Sequence, residues 1–428
     1  MYRELMHTSK KSTIEMNKTI VIFAACSIFV SGFAGCLAGD EDSEEDTGFS
    51  WPDQVETGCQ VSNESGVSCD IYAEFEGTPV LTVDDPEGNA IWFVNLDGFV
   101  TKWVQDSTNQ LISQHSVVGD LSGIVSRCHF EQGLLGMEFD EDYSSTKRVL
   151  LIYNENKTCE SARDSNIVLS HVKIVDDKMD MSTLEVLITV NKSNRNHNGG
   201  SIISVGNNEY IWSIGDGGGS FDPYGNGQNA SNKLGTIQMI HYENESIISP
   251  DNSTNSSYTL HYGLRNPWRI DVDPNGNLWI ADVGQLCYEE VNMVSLMQSS
   301  NFGWSVREGL HDLDPEGGCY ENESAYDARY TDPITEYDHN NGNCSIIGGY
   351  WMDWGPEIFR DSYMYGDFCT GQIWKISQDN DTWVVTDVVN TGTMIVGFGK
   401  GIEGELLIFS WAGAIYKLSD SQSDSDLP

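Results

Sequence analysis

The sequence predicts an all-β fold, a six-bladed β-propeller of four-stranded antiparallel blades. Three observations predict it. A strand–turn–strand unit recurs from about residue 75 to 418. Helical periodicity is nearly absent over that span. Units close on a similar strand that opens with Gly or a small residue and alternates apolar side chains. Many short strands at regular spacing leave a sandwich, a barrel or a propeller. A recurring unit of blade length favours the propeller over a solenoid or a two-sheet sandwich.

Six units are expected to begin near residues 75, 130, 198, 265, 345 and 392. Val80-Leu-Thr-Val-Asp-Asp-Pro-Glu-Gly-Asn-Ala-Ile-Trp-Phe-Val shows the pattern: apolar strand, Asp/Asn/Gly turn, β-branched or aromatic strand. Ile270-Asp-Val-Asp-Pro-Asn-Gly-Asn-Leu-Trp-Ile-Ala-Asp repeats it, and Gly401-Ile-Glu-Gly-Glu-Leu-Leu-Ile-Phe-Ser is a shorter copy. Third strands read Val100-Thr-Lys-Trp-Val, Thr236-Ile-Gln-Met-Ile, Gln372-Ile-Trp-Lys-Ile and Ala414-Ile-Tyr-Lys-Leu. The tryptophans at 212, 268, 279 and 374 fall on strand positions, where they serve blade packing.

Flanking segments read differently. Lys10, Lys11 and Lys18 precede the apolar run Ile20–Val30, then Ser31-Gly-Phe-Ala-Gly-Cys36. This is the layout of a secretory signal over 1–36, with Met1 or Met16 as the start. Phe-Ala-Gly-Cys36 resembles a lipobox, whose cysteine is lipidated; an uncleaved helical anchor is the alternative. Either places the chain outside the cytoplasmic membrane. An acidic tether over 37–50 and a polar tail over 419–428 flank the propeller at 51–418. With 65 acidic residues against 23 Lys plus Arg, nucleic acid is excluded as a partner, because phosphate binding needs clustered cations. The net charge of −42 reads as a solvated acidic surface. Eight cysteines follow the signal, and sequential pairing is expected: 59–69, 128–159, 287–319 and 344–369. No CxxC pair suggests a zinc ribbon.

Polar groups concentrate in four stretches: Phe130-Glu-Gln-Gly-Leu-Leu-Gly-Met-Glu-Phe-Asp; His197-Asn-Gly-Gly-Ser with Ile214-Gly-Asp-Gly-Gly-Gly-Ser-Phe-Asp-Pro; Gly263-Leu-Arg-Asn-Pro-Trp-Arg-Ile with Ala281-Asp-Val-Gly-Gln-Leu-Cys-Tyr-Glu-Glu-Val-Asn; and Asn301-Phe-Gly-Trp-Ser-Val-Arg-Glu-Gly. Glu131, His197 and Arg265 each lead into the innermost strand of a blade, so a carboxylate, a base and a cation are expected to meet at the channel. His197 reads as a general base or as a turn histidine. Arg265 reads as a catalytic cation or as a bridge to backbone carbonyls.

These stretches resemble, in order over residues 70–418, the soluble quinoprotein sugar dehydrogenases, the glucose/sorbosone dehydrogenase family, and the related propeller of hedgehog-interacting-like proteins. The resemblance implies oxidation of aldose sugars at the anomeric hydroxyl, with pyrroloquinoline quinone (PQQ) in the channel. It implies calcium and an electron acceptor in or near the membrane. His197 matches the general base. Arg265 matches the arginine close to quinone and substrate. Asn266 and Glu131 match cofactor contacts. Carbonyls of the Gly284-Gln285 turn match a calcium loop, and Glu290 with the Phe302 carbonyl match a second calcium site. Two departures stand out. The family's carboxylate-binding lysine and Arg-x-Arg pair are replaced by Cys369 and by Val396-Gly-Phe398, leaving Lys400 or Arg195 as substitutes. The aspartate that orients the histidine corresponds to Asn196. A non-catalytic, calcium-stabilised propeller that binds glycans or a protein is the alternative function.

Overall fold

Asp-Pro turns set the strand pattern. In Asp85-Pro-Glu-Gly and Asp273-Pro-Asn-Gly the aspartate carboxylate closes the turn and caps a buried tryptophan on the next strand. Asp85 accepts the Glu87 amide at 2.8 Å and the Trp92 indole N–H at 2.9 Å. Asp273 accepts the Asn275 and Asn277 amides at 2.8 and 3.0 Å and the Trp279 indole at 3.2 Å. Gly88 and Gly276 supply the positive φ that each turn needs. Both tryptophans are fully buried. Lys102 adds an ion pair to Asp85 at 2.8 Å. Removing this hub by Asp85→Ala strands the indole, a turn amide and the ammonium together. It is expected to destabilise the fold by about 1–3 kcal/mol, read as a lowered Tm. The carboxyl is held below its ordinary value, because Lys102, Trp92 and the turn amide outweigh burial. Its contribution is therefore present above the ordinary carboxylate pKa and lost as pH falls through the lower folded value.

The computed structural model describes residues 58–421 apart from 63–64, 89, 106–110, 156–158, 160–164, 249–257, 315–317 and 321. The expected signal segment with Cys36, the tether, and the tail beyond 421 lie outside the described residues. Among them the fold is all-β, with one α-helical turn, Tyr143–Thr146. Strands form consecutive antiparallel sheets, most of them four-stranded meanders. Each meander opens on an inner strand: Pro79–Asp84, Leu134–Phe139, Ile202–Gly206, Pro267–Val272, Ile346–Trp351 and Ile395–Lys400. These starts lie within four residues of the expected unit beginnings. Inner strands of successive sheets are neighbours, and the last neighbours the first. They approach so closely that a Cβ at Gly136 would meet the Gly200 carbonyl at 2.2 Å, and one at Gly397 the Val80 carbonyl at 2.3 Å. A cavity of about 120 Å³ sits among them, lined by Thr82, Glu138, Ile203, Arg269, Tyr350 and Phe398.

Apolar faces pack sheet against sheet. Trp279 stacks on Tyr363 of the next sheet at 4.9 Å, within a cluster that includes Ile346, Tyr365 and Ile376. The closure was not legible in the repeat. Strand Val67–Glu74, which precedes the first unit, pairs with Ala414–Asp420 and completes the last sheet. The final strand thus runs two residues past the expected boundary at 418, where the Ser68 and Ser419 hydroxyls meet at 2.8 Å. All four disulfides pair as expected: 59–69, 128–159, 287–319 and 344–369.

Candidate active site

Two glycine-rich segments build the site by backbone contact. Segment 191–201 leads into the inner strand at Ile202, and segment 215–219 follows strand Glu209–Ile214. A Cβ at Gly215 would meet the His197 carbonyl at 2.3 Å, and one at Gly218 the Asn196 side-chain oxygen at 2.1 Å. Only glycine allows that approach. His197 itself takes a left-handed backbone, φ 53°. Its ring is 3% exposed.

Asp216 orients that ring. Its Oδ1 lies 2.7 Å from His197 Nδ1 and also accepts the Gly218 amide at 2.8 Å. Its Oδ2 accepts the Trp304 indole N–H at 2.8 Å. Burial pushes the Asp216 carboxyl up, but His197, Arg265 and the Gly218 amide outweigh it and hold it below its ordinary value. An ionised Asp216 accepts a hydrogen bond from Nδ1–H, which leaves Nε2 as the acceptor nitrogen. The orienting carboxylate is thus present, at Asp216, although the residue matched to it in the sequence is Asn196. The Asn196 carbonyl instead accepts from Lys192 Nζ at 2.8 Å.

Glu131 and Asn266 lock the same segment. Glu131 Oε2 accepts the His197 amide at 2.7 Å. Asn266 Oδ1 accepts the Gly199 amide at 3.0 Å, and its Nδ2 lies 3.5 Å from Glu131 Oε2. The amides of Arg265 and Asn266 donate to the two oxygens of Asp282 at 2.9 and 2.6 Å. The Arg265 guanidinium lies over the Trp304 ring at 5.5 Å and donates through Nη1 to the Val283 carbonyl at 3.0 Å. Thus the backbone bridge exists, and the buried Nε is left without a partner. Glu131, His197 and Asn266 are joined by these bonds, with Arg265 next to them in the chain.

The expected metal residues lie beyond Arg265. A small cavity of about 10 Å³ is lined by Asp282, Gly284, Glu290, Phe302 and Glu308, with Arg265. Glu308 Oε1 accepts three successive amides, Leu286, Cys287 and Tyr288, while its Oε2 is buried without a partner. Burial raises the carboxyls of Asp282 and Glu290, with added repulsion from Asp216 at Asp282 and from Asp282 at Glu290. Glu289 faces elsewhere, tying His339 at 2.7 Å and the Ile346 amide at 2.9 Å. The Gln285 side chain accepts the Phe221 amide at 2.6 Å, and its Nε2 has no partner. Gln285 does not line the cavity.

Sequence reasoning missed Asp216, Asp282, Trp304, Glu308 and Lys192. The first four stand inside the quoted motifs, so the signal was present without a role attached. Lys192 carries no local signal. The basic substitutes are also placed. Lys400 ends its inner strand and pairs with Asp84 at 2.8 Å, at the opposite end from the strand's start. The Arg195 carbonyl accepts from the Gln132 side chain at 3.1 Å.

HIPL1 protein of Arabidopsis thaliana is 31% identical over 206 residues, 42% of this chain and 29% of that protein. HIPL2 protein of the same plant is 30% identical over 220 residues, 44% of this chain and 31% of that protein. The match thus spans less than a third of each relative. Apo soluble aldose sugar dehydrogenase from Escherichia coli superposes with a TM-score of 0.63 at 17% identity, covering 83% of this chain and 99% of that one. The PQQ-bound aldose sugar dehydrogenase of Streptomyces coelicolor gives 0.59 at 18%, covering 82% and 98%. At these identities the structures show the fold. The glucose/sorbosone dehydrogenase family profile matches residues 91–402, and the chain belongs to that family.

Proposed function

We propose that this is an extracytoplasmic oxidoreductase that oxidises the anomeric hydroxyl of aldose sugars on a six-bladed propeller, with PQQ and calcium. One observation carries the reading. His197 is pinned through Nδ1 by an ionised Asp216, and the Arg265 charge acts on the same carboxylate. His197 Nε2 takes the hydroxyl proton, and the Asp216 charge stabilises the imidazolium that results. The hydride leaves C1 in the same oxidation. Bound PQQ would supply the two-electron acceptor, with calcium as the Lewis acid beside it.

The chain's donors fit the redox end of such a cofactor. The partnerless Arg265 Nε suits an anionic oxygen, and the Asn266 and Glu131 side chains, 3.5 Å apart, would supply the further contacts. Gly284 and Gln285 would offer carbonyls to one calcium. Glu290 and the Phe302 carbonyl would hold a second, joined by Asp282 and the orphaned Glu308 oxygen. Four disulfides belong to an oxidising compartment. Among the described residues no helix is long and apolar enough to cross a membrane. Lipidated Cys36 would anchor the domain near its electron acceptor.

The cofactor's carboxylate end favours a second reading. Cys369 is in a disulfide, and the Val396 carbonyl accepts the Trp268 indole at 3.2 Å. Neither supplies a cation. That supports a propeller that binds glycans or a protein without catalysis. Dye reduction by the purified full chain with PQQ, calcium and a panel of aldoses separates the two. Quinone-dependent turnover that chelation abolishes is the expected result. No turnover, together with no PQQ binding in a titration, would leave the binding reading.

A further inference from the structure

Lys192 lies five residues before His197 and is 5% exposed. Its stem packs under the glycine run, where a Cβ at Gly217 would come within 3.3 Å of the Lys192 Cβ. Nζ makes one hydrogen bond among the described residues, to the Asn196 carbonyl at 2.8 Å, and no ion pair. Burial pulls the ammonium down to about 7, against the pull of Glu131 and Asp216. A charge held this way opposes folding rather than supports it. Its role must be sought in what it touches.

It touches one end of a peptide whose other end is also held by a charge. The Asn196 carbonyl faces Lys192, and the His197 amide of that same peptide donates to Glu131 Oε2 at 2.7 Å. Cation at the oxygen and anion at the N–H match the peptide dipole, and both hydrogen bonds are charge-assisted. The peptide leads into the left-handed backbone of His197, φ 53°, a conformation that disfavours side chains with a Cβ. Rotating it would lift the imidazole off Asp216.

We infer that Lys192 is a positioning residue for His197: its ammonium and the Glu131 carboxylate grip the two ends of the Asn196–His197 peptide and fix the backbone that sets the imidazole on Asp216. The inference rests on the proposed function only for what His197 does once placed.

The test is amide exchange in protein labelled with 15N-histidine, whose nine histidines give a sparse spectrum. In the wild type the His197 amide is slow to exchange. In K192M it exchanges about ten- to a hundredfold faster, while His171 and His261, in paired strands, keep their rates. E131Q, which weakens the other grip, changes the same amide. The Tm of K192M stays equal to the wild type or rises. An unchanged His197 amide would overturn the inference. So would a lowered Tm with all histidine amides accelerated together, which is what a merely structural lysine gives. K192Q, which keeps an uncharged donor, falls between wild type and K192M. In the loaded enzyme K192M lowers kcat more than it raises KM. A wild type without dehydrogenase activity defeats the proposed function and leaves the exchange result standing.

Discussion

Replacing His197 by Asn is expected to lower kcat for aldose oxidation by about a hundred- to ten-thousandfold, the usual worth of a positioned base. Asn is the informative choice because it tolerates the left-handed backbone at this position. Its amide is too short to keep the imidazole's bond to Asp216, so the base goes while the loop stays. Asp216→Asn is expected to cost about a thousandfold or more through the same pair. It removes the charge that fixes the Nδ1 proton, and the new side-chain amide would present a neutral partner to the ring and to the Trp304 indole. Steady-state dye reduction with PQQ and calcium measures both. An H197N enzyme within tenfold of wild type would remove His197 from the chemistry. The pair would then be a hydrogen-bonded turn like many others.

How much of this was legible in the sequence depends on the range of the contact. Turns, strands and neighbouring disulfides are local. Asp85-Pro-Glu-Gly and Asp273-Pro-Asn-Gly announce their hairpins, and each cysteine pairs with the next. Glu131, His197 and Arg265 converge because equivalent loops of successive sheets share one end. Side-chain partners chosen across strands were not legible. Asn196 adjoins His197 in sequence, yet Asp216, beyond two further strands, takes the ring. The reason is steric: a glycine run at 217–219 lets the second segment lie against the first. Lys192 is hidden for the same reason, since nothing in Asn191-Lys-Ser shows that Nζ turns back to Asn196. The closing strand Val67–Glu74 pairs with residues some 350 positions later, beyond the reach of any local pattern.

Calcium should stabilise the domain, and more so as pH rises. Asp282, Glu290 and Glu308 are buried around one small cavity, with a Glu308 oxygen that nothing in the described structure satisfies. Without a cation, burial, with repulsion from neighbouring carboxylates, raises the Asp282 and Glu290 carboxyls, so the folded state holds protons that the unfolded state releases. That contribution is fully present below the ordinary carboxylate pKa and is lost as pH rises through the raised folded values. A bound divalent cation replaces those protons and needs the carboxylates ionised. Thermal melts should therefore show chelated protein losing Tm from acid to mildly alkaline pH, and calcium restoring it most at the alkaline end. At a hundredfold excess over Kd the stabilisation is about 2.7 kcal/mol. Glu308→Gln keeps an oxygen for the Leu286, Cys287 and Tyr288 amides but removes the charge. It should weaken calcium binding by about tenfold or more without disturbing that loop. A Tm indifferent to chelation at every pH would mean that the carboxyls are neutral acids in a closed core. The cavity beside Arg265 would then hold water, and the electrostatic support expected there would have to come from Arg265 alone.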